Sequence, residues 1–326
     1  MSSIIRSAIT GVGAYLPERK VSNADLAKIV DTSDDWIVER TGIQSRRYAA
    51  EGQGTSDLAV EAARGALAAA GRTAADVDLI VVATTTPDLT FPATAALVQA
   101  KIGAPVCAAF DIQAVCTGFV YALSVADGFV ARGHARCALV IGADCMSRLM
   151  DWTDRSTCVL FGDGAGAVVM EPAAGDGSTA DRGMLGFALR SDGTKQAMLT
   201  ADGGVSSTGQ VGKLRMQGHQ VFRHAVVNIA EAVEAAAANA GVTIQEVDWF
   251  VPHQANQRIL NGVAHRLGLD ESRVVSTIAE HANTSAASIP LALNAAVADG
   301  RVKKGDLLLL EAMGGGLTWG ACVVRF

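Results

Sequence analysis

Three side chains in this sequence have the types needed for thioester chemistry. Cys116 stands in AVCTGF (114–119), His253 in VPHQAN (251–256) and Asn283 in HANTSAAS (281–288). A thiol can act as a nucleophile, and neutral N–H donors in a water-poor pocket stabilise negative charge on a thioester oxygen. Together these groups would suit a reaction that passes through an enolate.

Each of the three also has a simpler interpretation. Cys116 precedes a predicted helix, where the macrodipole would favour the thiolate and lower its pKa, yet most cysteines are only small buried residues. His253 at a strand end can be a hydrogen-bonded structural group. Asn283 can be a turn or helix-capping residue.

An internal duplication favours the chemical interpretation. The segment AGRTAADVDLIV (70–81) recurs as AGVTIQEVDWFV (240–251), KIG (101–103) as RLG (266–268), and ARG (131–133) as ADG (298–300). Two copies of one α/β unit therefore make up the chain. Counting back from Gly133 and Gly300 places Cys116 opposite Asn283, and His253 follows the repeated strand. Packing of the halves about a pseudo-twofold axis would bring the three together.

The elements that must position these residues are helices alternating with apolar strands. Continuous Val, Ile and Leu runs are typical of sheets covered on both faces, which predicts a layered α/β fold. The N-terminus is predicted as a strand that turns at Gly11 and Gly13. A polar linker at 173–182 separates the predicted halves, 1–172 and 173–326.

The predicted strands are 78–83, 138–141, 165–170, 249–251, 306–310 and 321–324. The predicted helices are 56–70, 93–101, 118–132, 218–240, 255–267 and 285–299.

Bulk composition excludes several functions. The 326 residues are 50% hydrophobic and 18% charged, with a net charge of −6, so we expect a compact protein that does not bind nucleic acid. No run approaches the roughly 18 apolar residues of a membrane span, and we expect no membrane association. The six cysteines lack C-x-x-C spacing; we expect free thiols, no metal and a cytoplasmic location.

Two glycine-rich stretches occur near the ends of the halves, FGDGAGA (161–167) and MGGGLTWG (313–320). Neither has the Lys-Ser/Thr ending of a phosphate-binding loop, nor the context of a dinucleotide-binding turn. We interpret them as sites of close backbone approach. A backbone N–H of the second stretch could stabilise an oxyanion.

Six motifs in order resemble the thiolase-like condensing enzymes, and among them β-ketoacyl-acyl-carrier-protein synthase III, which initiates bacterial fatty-acid synthesis. The resemblance runs essentially end to end. The motifs are TSDDWIVERTGI (32–43), AVCTGF (114–119), DRSTCVLFGDGAGA (154–167), PHQAN (252–256), NTSAAS (283–288) and GGGLTWG (314–320).

The resemblance implies a five-layered αβαβα fold with two pseudo-equivalent halves and a homodimer. It implies that Cys116 takes a short acyl group, with acetyl the expected one, from acyl-CoA. His253 and Asn283 would bind malonyl-acyl-carrier protein as it loses CO2, and the N–H groups of Cys116 and Gly315 would form the oxyanion hole. The product would be a β-ketoacyl-acyl-carrier protein, with no cofactor beyond these substrates.

The resemblance also assigns residues around the site. Trp36 and Arg155 match positions that sandwich adenine, Arg40 a nucleotide contact, and Gly218 and Asn256 the pantetheine arm. Outside the motif context, the simpler interpretation is favoured, with Trp36 as a core anchor and Arg155 as part of a surface ion pair. Candidate residues for docking the acidic carrier protein, unless they form only a solvated face, are Arg223, Arg258, His265 and Arg266.

Three further positions concern the acyl pocket. Phe91 matches a residue that reaches across the dimer to cap the partner's pocket. Met313 stands where the family often has Phe, and Ala282 where Gly is common. Pocket width and primer choice depend on these two departures, whereas the donors and the nucleophile are all retained.

Competing functions remain within and outside the enzyme class. A degradative thiolase would need a second cysteine in the C-terminal glycine-rich loop, and elongating synthases use two histidines. Related CoA-thioester condensing enzymes of secondary metabolism share Cys-His-Asn and are the main alternative. A non-catalytic condensing-enzyme subunit is a further alternative, although such chains typically lose the nucleophile that is present here.

Overall fold

The computed structural model describes residues 4–326. Its strands are β1 (Ile4–Tyr15), β2 (Arg19–Ser22), β3 (Ser45–Tyr48), β4 (Leu79–Ala83), β5 (Ala108–Ile112), β6 (Ala138–Cys145), β7 (Asp163–Gly175), β8 (Gly183–Ser191), β9 (Leu199–Ala201), β10 (Leu214–Met216), β11 (Trp249–Pro252), β12 (Leu307–Gly314) and β13 (Thr318–Arg325). Its helices are α1 (Asn23–Leu26), α2 (Asp34–Thr41), α3 (Thr55–Ala69), α4 (Thr94–Ile102), α5 (Gly118–Ala131), α6 (Gly218–Ala240), α7 (Gln257–Leu267), α8 (Ile278–His281) and α9 (Ser288–Ala298).

The framework is a pair of mixed sheets with helices on both faces of each. The first sheet has the order β1-β7-β6-β4-β5 and the second β11-β12-β13-β8. Helices α5 and α9 lie between the sheets, where Phe119 and Ile289 share one core. Helices α3 and α4 cover the outer face of the first sheet, and α6 and α7 that of the second. This order of layers confirms the predicted αβαβα fold.

The duplication seen in the sequence recurs in the backbone. Strand β4 pairs in parallel with β6, and β11 pairs in the same way with β12. The carboxylate of Asp78 accepts the N–H of Cys137 at 3.0 Å, and that of Asp248 accepts the N–H of Leu307 at 2.8 Å. The two halves are therefore pseudo-equivalent, as predicted.

The predicted pairing of Cys116 with Asn283 is wrong by three residues. Short 3-10 turns at Val115–Thr117 and Ser285–Ala287 lead directly into α5 and α9, and each begins at a residue with positive φ, 49° and 52°. Cys116 thus corresponds to Ala286. The error arose because α9 has 11 residues and α5 has 14, so the glycines that follow them are not in the register of the turns.

The predicted N-terminal turn is also wrong. Strand β1 continues through Gly11 and Gly13 to Tyr15, with a register shift between Ile9 and Gly11. A Cβ atom at either glycine would collide with the backbone of α3 at Ala66. The glycines allow the close packing of this helix on the strand.

The connection between the halves is shorter than predicted. The predicted boundary at residue 172 falls inside β7, which ends at Gly175, and the chain crosses to the second sheet through 176–182 before β8 begins. Within residues 4–326, none of the helices combines the length and hydrophobicity that a membrane span requires.

Candidate active site

Cys116, His253 and Asn283 line one cavity of about 580 Å³. Cys116 lies in the 3-10 turn before α5, His253 directly follows β11, and Asn283 precedes the 3-10 turn of α9. All three are almost fully buried. The predicted convergence of these side chains is therefore present. The alignment of the two repeats that suggested it, which paired Cys116 with Asn283, was wrong by three residues.

Cys116 differs electrostatically from the expectation. Burial raises the pKa of the thiol to about 12. The expected lowering of this pKa by the α5 macrodipole is wrong for the resting structure, because desolvation of the thiolate outweighs the dipole. The resting nucleophile is a protonated thiol.

His253 is held as a neutral imidazole. Burial lowers the pKa of His253 to about 3. Its Nδ1 lies 2.5 Å from Oγ of Ser288, and that oxygen also accepts the N–H of Gln254 at 3.2 Å. When the Ser288 hydroxyl donates to Nδ1, the imidazole proton is on Nε2, and the ring offers a neutral donor.

The Asn283 amide is oriented by its neighbours. Its Oδ1 accepts the N–H of Ser285 at 2.9 Å. Its backbone bridges to the segment after Cys158, where its N–H donates to Leu160 and its carbonyl accepts from Gly162, both at 3.0 Å. With Oδ1 engaged in this way, the NH2 group is the free end of the amide.

The C-terminal glycine-rich loop packs against the nucleophile. A Cβ atom at Gly314 would lie 2.7 Å from the backbone nitrogen of Cys116, and one at Gly315 would lie 3.4 Å from the Val115 side chain. Thr318 secures the loop by donating its hydroxyl to Ala114 at 3.0 Å. Close backbone approach, as predicted for these glycines, puts Gly315 beside the turn that carries Cys116.

The predicted adenine site lies at one end of the cavity. The guanidinium carbon of Arg40 is 4.6 Å, and that of Arg155 is 5.1 Å, from the centre of the Trp36 ring. Trp36 and Arg40 line the cavity, whereas Arg155 does not. Arg155 rests on the ring, within cation–π distance, so a sandwich would require this half-exposed side chain to move away.

Other predicted residues divide between the cavity and its surroundings. Gly218, Asn256 and Met313 line the cavity. Ala282 is adjacent to Asn283 and has φ of 58°, a backbone region that favours glycine, which gives a physical reason for glycine at this position. Phe91 lies elsewhere, in the loop before α4, with 83% of its surface exposed.

The predicted docking residues lie on two helices that contribute to the cavity. Arg258 lines the cavity from the start of α7, and Arg223 follows the cavity-lining Phe222 on α6. His265 and Arg266 lie in the last turn of α7 and do not line the cavity. All four are exposed. Among residues 4–326, no acidic side chain forms an ion pair with Arg223, Arg258 or Arg266.

Two residues of the site were missed by sequence reasoning. Ser288 holds His253, and its only signal was that it closes the NTSAAS motif. Glu311 lines the cavity from β12. Its signal was an acidic residue within the apolar run LLLLEAM (307–313), where charged residues are rare unless they have a role.

Comparison with known proteins agrees with this geometry. Residues 110–193 match the family model "3-Oxoacyl-[acyl-carrier-protein (ACP)] synthase III", and residues 237–326 match the model of its C-terminal part. A Caulobacter vibrioides protein, β-ketoacyl-[acyl-carrier-protein] synthase III, is 74% identical over 98% of this chain and 100% of its own length.

Solved structures have the same fold. The 3-oxoacyl-[acyl-carrier-protein] synthase III of Aquifex aeolicus superposes with a TM-score of 0.92 at 46% identity, covering 98% of this chain and all of that one. The priming β-ketosynthase of the R1128 polyketide pathway has the same TM-score at 36% identity, covering 99% and 97%. High identity along nearly the whole chain shows that this protein belongs to the β-ketoacyl-[acyl-carrier-protein] synthase III family, and is therefore an acyltransferase of the condensing type.

Proposed function

We propose that the chain catalyses a decarboxylative condensation between a short acyl-CoA primer and malonyl-acyl-carrier protein. The observation that carries the proposal is the meeting of Cys116, His253 and Asn283 in one buried cavity. In the first step the Cys116 sulfur attacks the primer thioester, the acyl group becomes a thioester of Cys116, and CoA leaves with the proton of the thiol.

The second step joins two carbon atoms. Nε2–H of His253 and the NH2 group of Asn283 donate to the malonyl thioester oxygen, so that loss of CO2 gives an enolate whose charge they stabilise. The enolate carbon attacks the acyl carbon, and the N–H groups of Cys116 and Gly315 hold the resulting oxyanion. When the carbon–sulfur bond breaks, the Cys116 thiolate takes up one proton from solvent, which balances the reaction.

The surroundings suit these two substrates. Trp36, Arg40 and Arg155 offer aromatic and guanidinium planes for a nucleotide base, while Gly218 and Asn256 lie along the cavity that the pantetheine arm would occupy. Arg223, Arg258 and Arg266, with His265, would attract an acidic carrier protein. We propose that no cofactor or metal takes part beyond these thioesters.

We further propose a homodimer that works in the cytoplasm. Strand β5 is at the edge of the first sheet and pairs only with β4 in the described residues, which leaves a row of backbone groups available for a second copy. Close to it in the chain, Phe91 and Val106 are strongly exposed, and in a dimer Phe91 would reach the partner's pocket. Six free cysteines suit a reducing compartment.

The test is a primer panel combined with two extenders. Acetyl-, branched and longer acyl-CoA are each offered with malonyl-acyl-carrier protein or malonyl-CoA, and products are measured by mass. We expect β-ketoacyl-acyl-carrier protein with a short primer.

Cys116→Ser should abolish acyl transfer, and His253→Ala should reduce CO2 release more than acyl loading. Equal loss in both half-reactions would overturn the role given to His253.

A second candidate is a priming condensing enzyme of secondary metabolism. The structural similarity to the R1128 priming β-ketosynthase favours it. Met313 also favours it, because this flexible side chain lines the cavity and can adapt to primers of different size. Preference for a longer primer or for malonyl-CoA in the same panel would select this function. Absence of any acyl adduct would instead favour a non-catalytic subunit.

A further inference from the structure

Glu311 is a buried carboxyl that the proposed mechanism does not use. It is the only acidic residue among the described residues that line the reaction cavity. Only 1% of its surface is exposed, and its Oε2 has no hydrogen-bond partner within residues 4–326. A buried polar atom without a partner costs free energy, so its presence here calls for a functional explanation.

The strand determines where this carboxyl lies. Side chains alternate along β12, so that Leu308, Leu310 and Ala312 face the core between the sheets, whereas Leu309 and Met313 face the side of α6. Glu311 falls on the second side, together with the cavity-lining Met313.

Glu311 also lies beside His253 in the second sheet. Glu311 of β12 pairs with Pro252 of β11 in the parallel ladder, and the backbone carbonyl of Glu311 accepts the N–H of His253 at 2.7 Å. Both side chains line the same cavity.

Within residues 4–326, no cationic side chain forms an ion pair with Glu311. The other titratable groups that line the cavity are Cys116, His219, His253, Arg40 and Arg258, and neither arginine forms an ion pair with Glu311 in the described part of the chain. In the sheet, Glu311 pairs with Pro252 of β11 and Ala321 of β13, and α6 contributes the apolar Ala225 and Ile229 to the cavity wall. Burial raises the pKa of Glu311 to about 8, so the carboxyl is protonated at neutral pH.

We propose that Glu311 is a third neutral hydrogen-bond donor of the reaction cavity, beside His253 and Asn283, and that it acts in condensation only while its carboxyl is protonated. The inference rests on the proposed function. A protonated carboxyl donates one hydrogen bond, here towards the malonyl group on which the enolate forms. Ionisation of the Glu311 carboxyl removes that donor and places a negative charge near the enolate, whose own negative charge is developing.

The proposal predicts a pH dependence of the second half-reaction. In the acetylated enzyme the Cys116 thiol is blocked and does not titrate. Condensation should then fall by about tenfold per pH unit above the pKa of Glu311. In Glu311→Gln, which keeps an N–H donor and does not ionise, this fall should vanish. In Glu311→Leu, which is apolar, the rate should lie about a hundredfold below that of wild type at neutral pH and should not fall further as the pH rises.

The experiment is a single turnover of acetyl-enzyme, freed of CoA, with malonyl-acyl-carrier protein from about pH 6 to about pH 10. Glu231→Gln, on the exposed side of α6, is the matched control and should keep the wild-type profile. Failure of wild type to give product would overturn the proposed function. Wild-type condensation with an unchanged alkaline fall in Glu311→Gln would overturn the role of Glu311 alone, as would a loss in Glu311→Leu of less than about threefold.

A measurement on the unmodified protein covers the case in which the variants do not fold. Infrared difference spectra recorded during a pH titration follow the carbonyl band of a protonated carboxylic acid. We expect a band that is lost in step with the condensation rate. Asp144, the other strongly shifted buried carboxyl near the site, has a pKa of about 6 and titrates earlier. Absence of a carboxylic-acid band at neutral pH would overturn the proposal.

Discussion

At the residue scale, the chemistry depends on an imidazole that is uncharged and correctly turned. Burial accounts for the first property, since it lowers the pKa of His253 to about 3. Ser288 accounts for the second, through its contact with Nδ1 at 2.5 Å. A protonated ring would carry a proton on both nitrogens, so that Ser288 would no longer select the tautomer. A rotated ring would direct its N–H donor away from the thioester.

Replacing Ser288 tests this orientation. Ser288→Ala should lower the condensation rate about tenfold, the equivalent of one lost hydrogen bond, because the ring and its tautomer are no longer fixed. Acyl loading, measured as the acetyl adduct, should change little. Ser206→Ala in the exposed 202–212 loop is the control. Equal losses in loading and condensation would contradict the orientation role and indicate general disruption.

The state of Cys116 leads to a second residue-scale prediction. With a thiol pKa of about 12, the thiolate fraction, and so the rate of alkylation of the free enzyme by iodoacetamide, should rise about tenfold per pH unit from neutral to alkaline pH without a plateau. Following the modified Cys116 peptide by mass gives the profile. A plateau near neutral pH would show that the macrodipole does outweigh burial.

At the element scale, the packing of α3 on β1 depends on glycine. Gly11→Ala should destabilise the fold by about 2 kcal/mol or more, because the added methyl group meets the Ala66 backbone. Gly128→Ala is the matched change. It lies in α5 with open space around its Cα and should stabilise by about 0.5–1 kcal/mol. Melting midpoints that shift in the same direction for both variants would contradict this packing.

Local patterns predicted the long elements well and the register between the halves poorly. Helix α6 spans the predicted 218–240, since a long amphipathic run ends at Gly241. Strands β5 and β8 were missed because AAFDI (108–112) and GMLGFALRS (183–191) lack a long apolar run. The length difference between α5 and α9, which shifted the Cys116 register, is set by tertiary packing. The pKa of Cys116 was missed for the same reason, since burial is not local.

At the scale of the whole molecule, the duplicated halves meet around the cavity, and the edge strand β5 pairs only with β4 among residues 4–326. If this edge forms the dimer, charges beside it should separate the subunits. The double change Val106→Asp and Ala108→Asp should shift the mass in light scattering from dimer to monomer. Val205→Asp, which is 68% exposed in the 202–212 loop, should have no such effect. A wild-type protein that is already monomeric would contradict the proposal.

In the proposed reaction, one cavity loads an acyl group onto Cys116 and then condenses it with the malonyl group. The most direct measurement is the intact and peptide mass of the protein after acetyl-CoA and again after malonyl-acyl-carrier protein. We predict one acetyl group on the Cys116 peptide, followed by its complete discharge as β-ketoacyl-acyl-carrier protein appears. An acetyl group on another residue, or one that stays on Cys116 while product forms, would contradict the account.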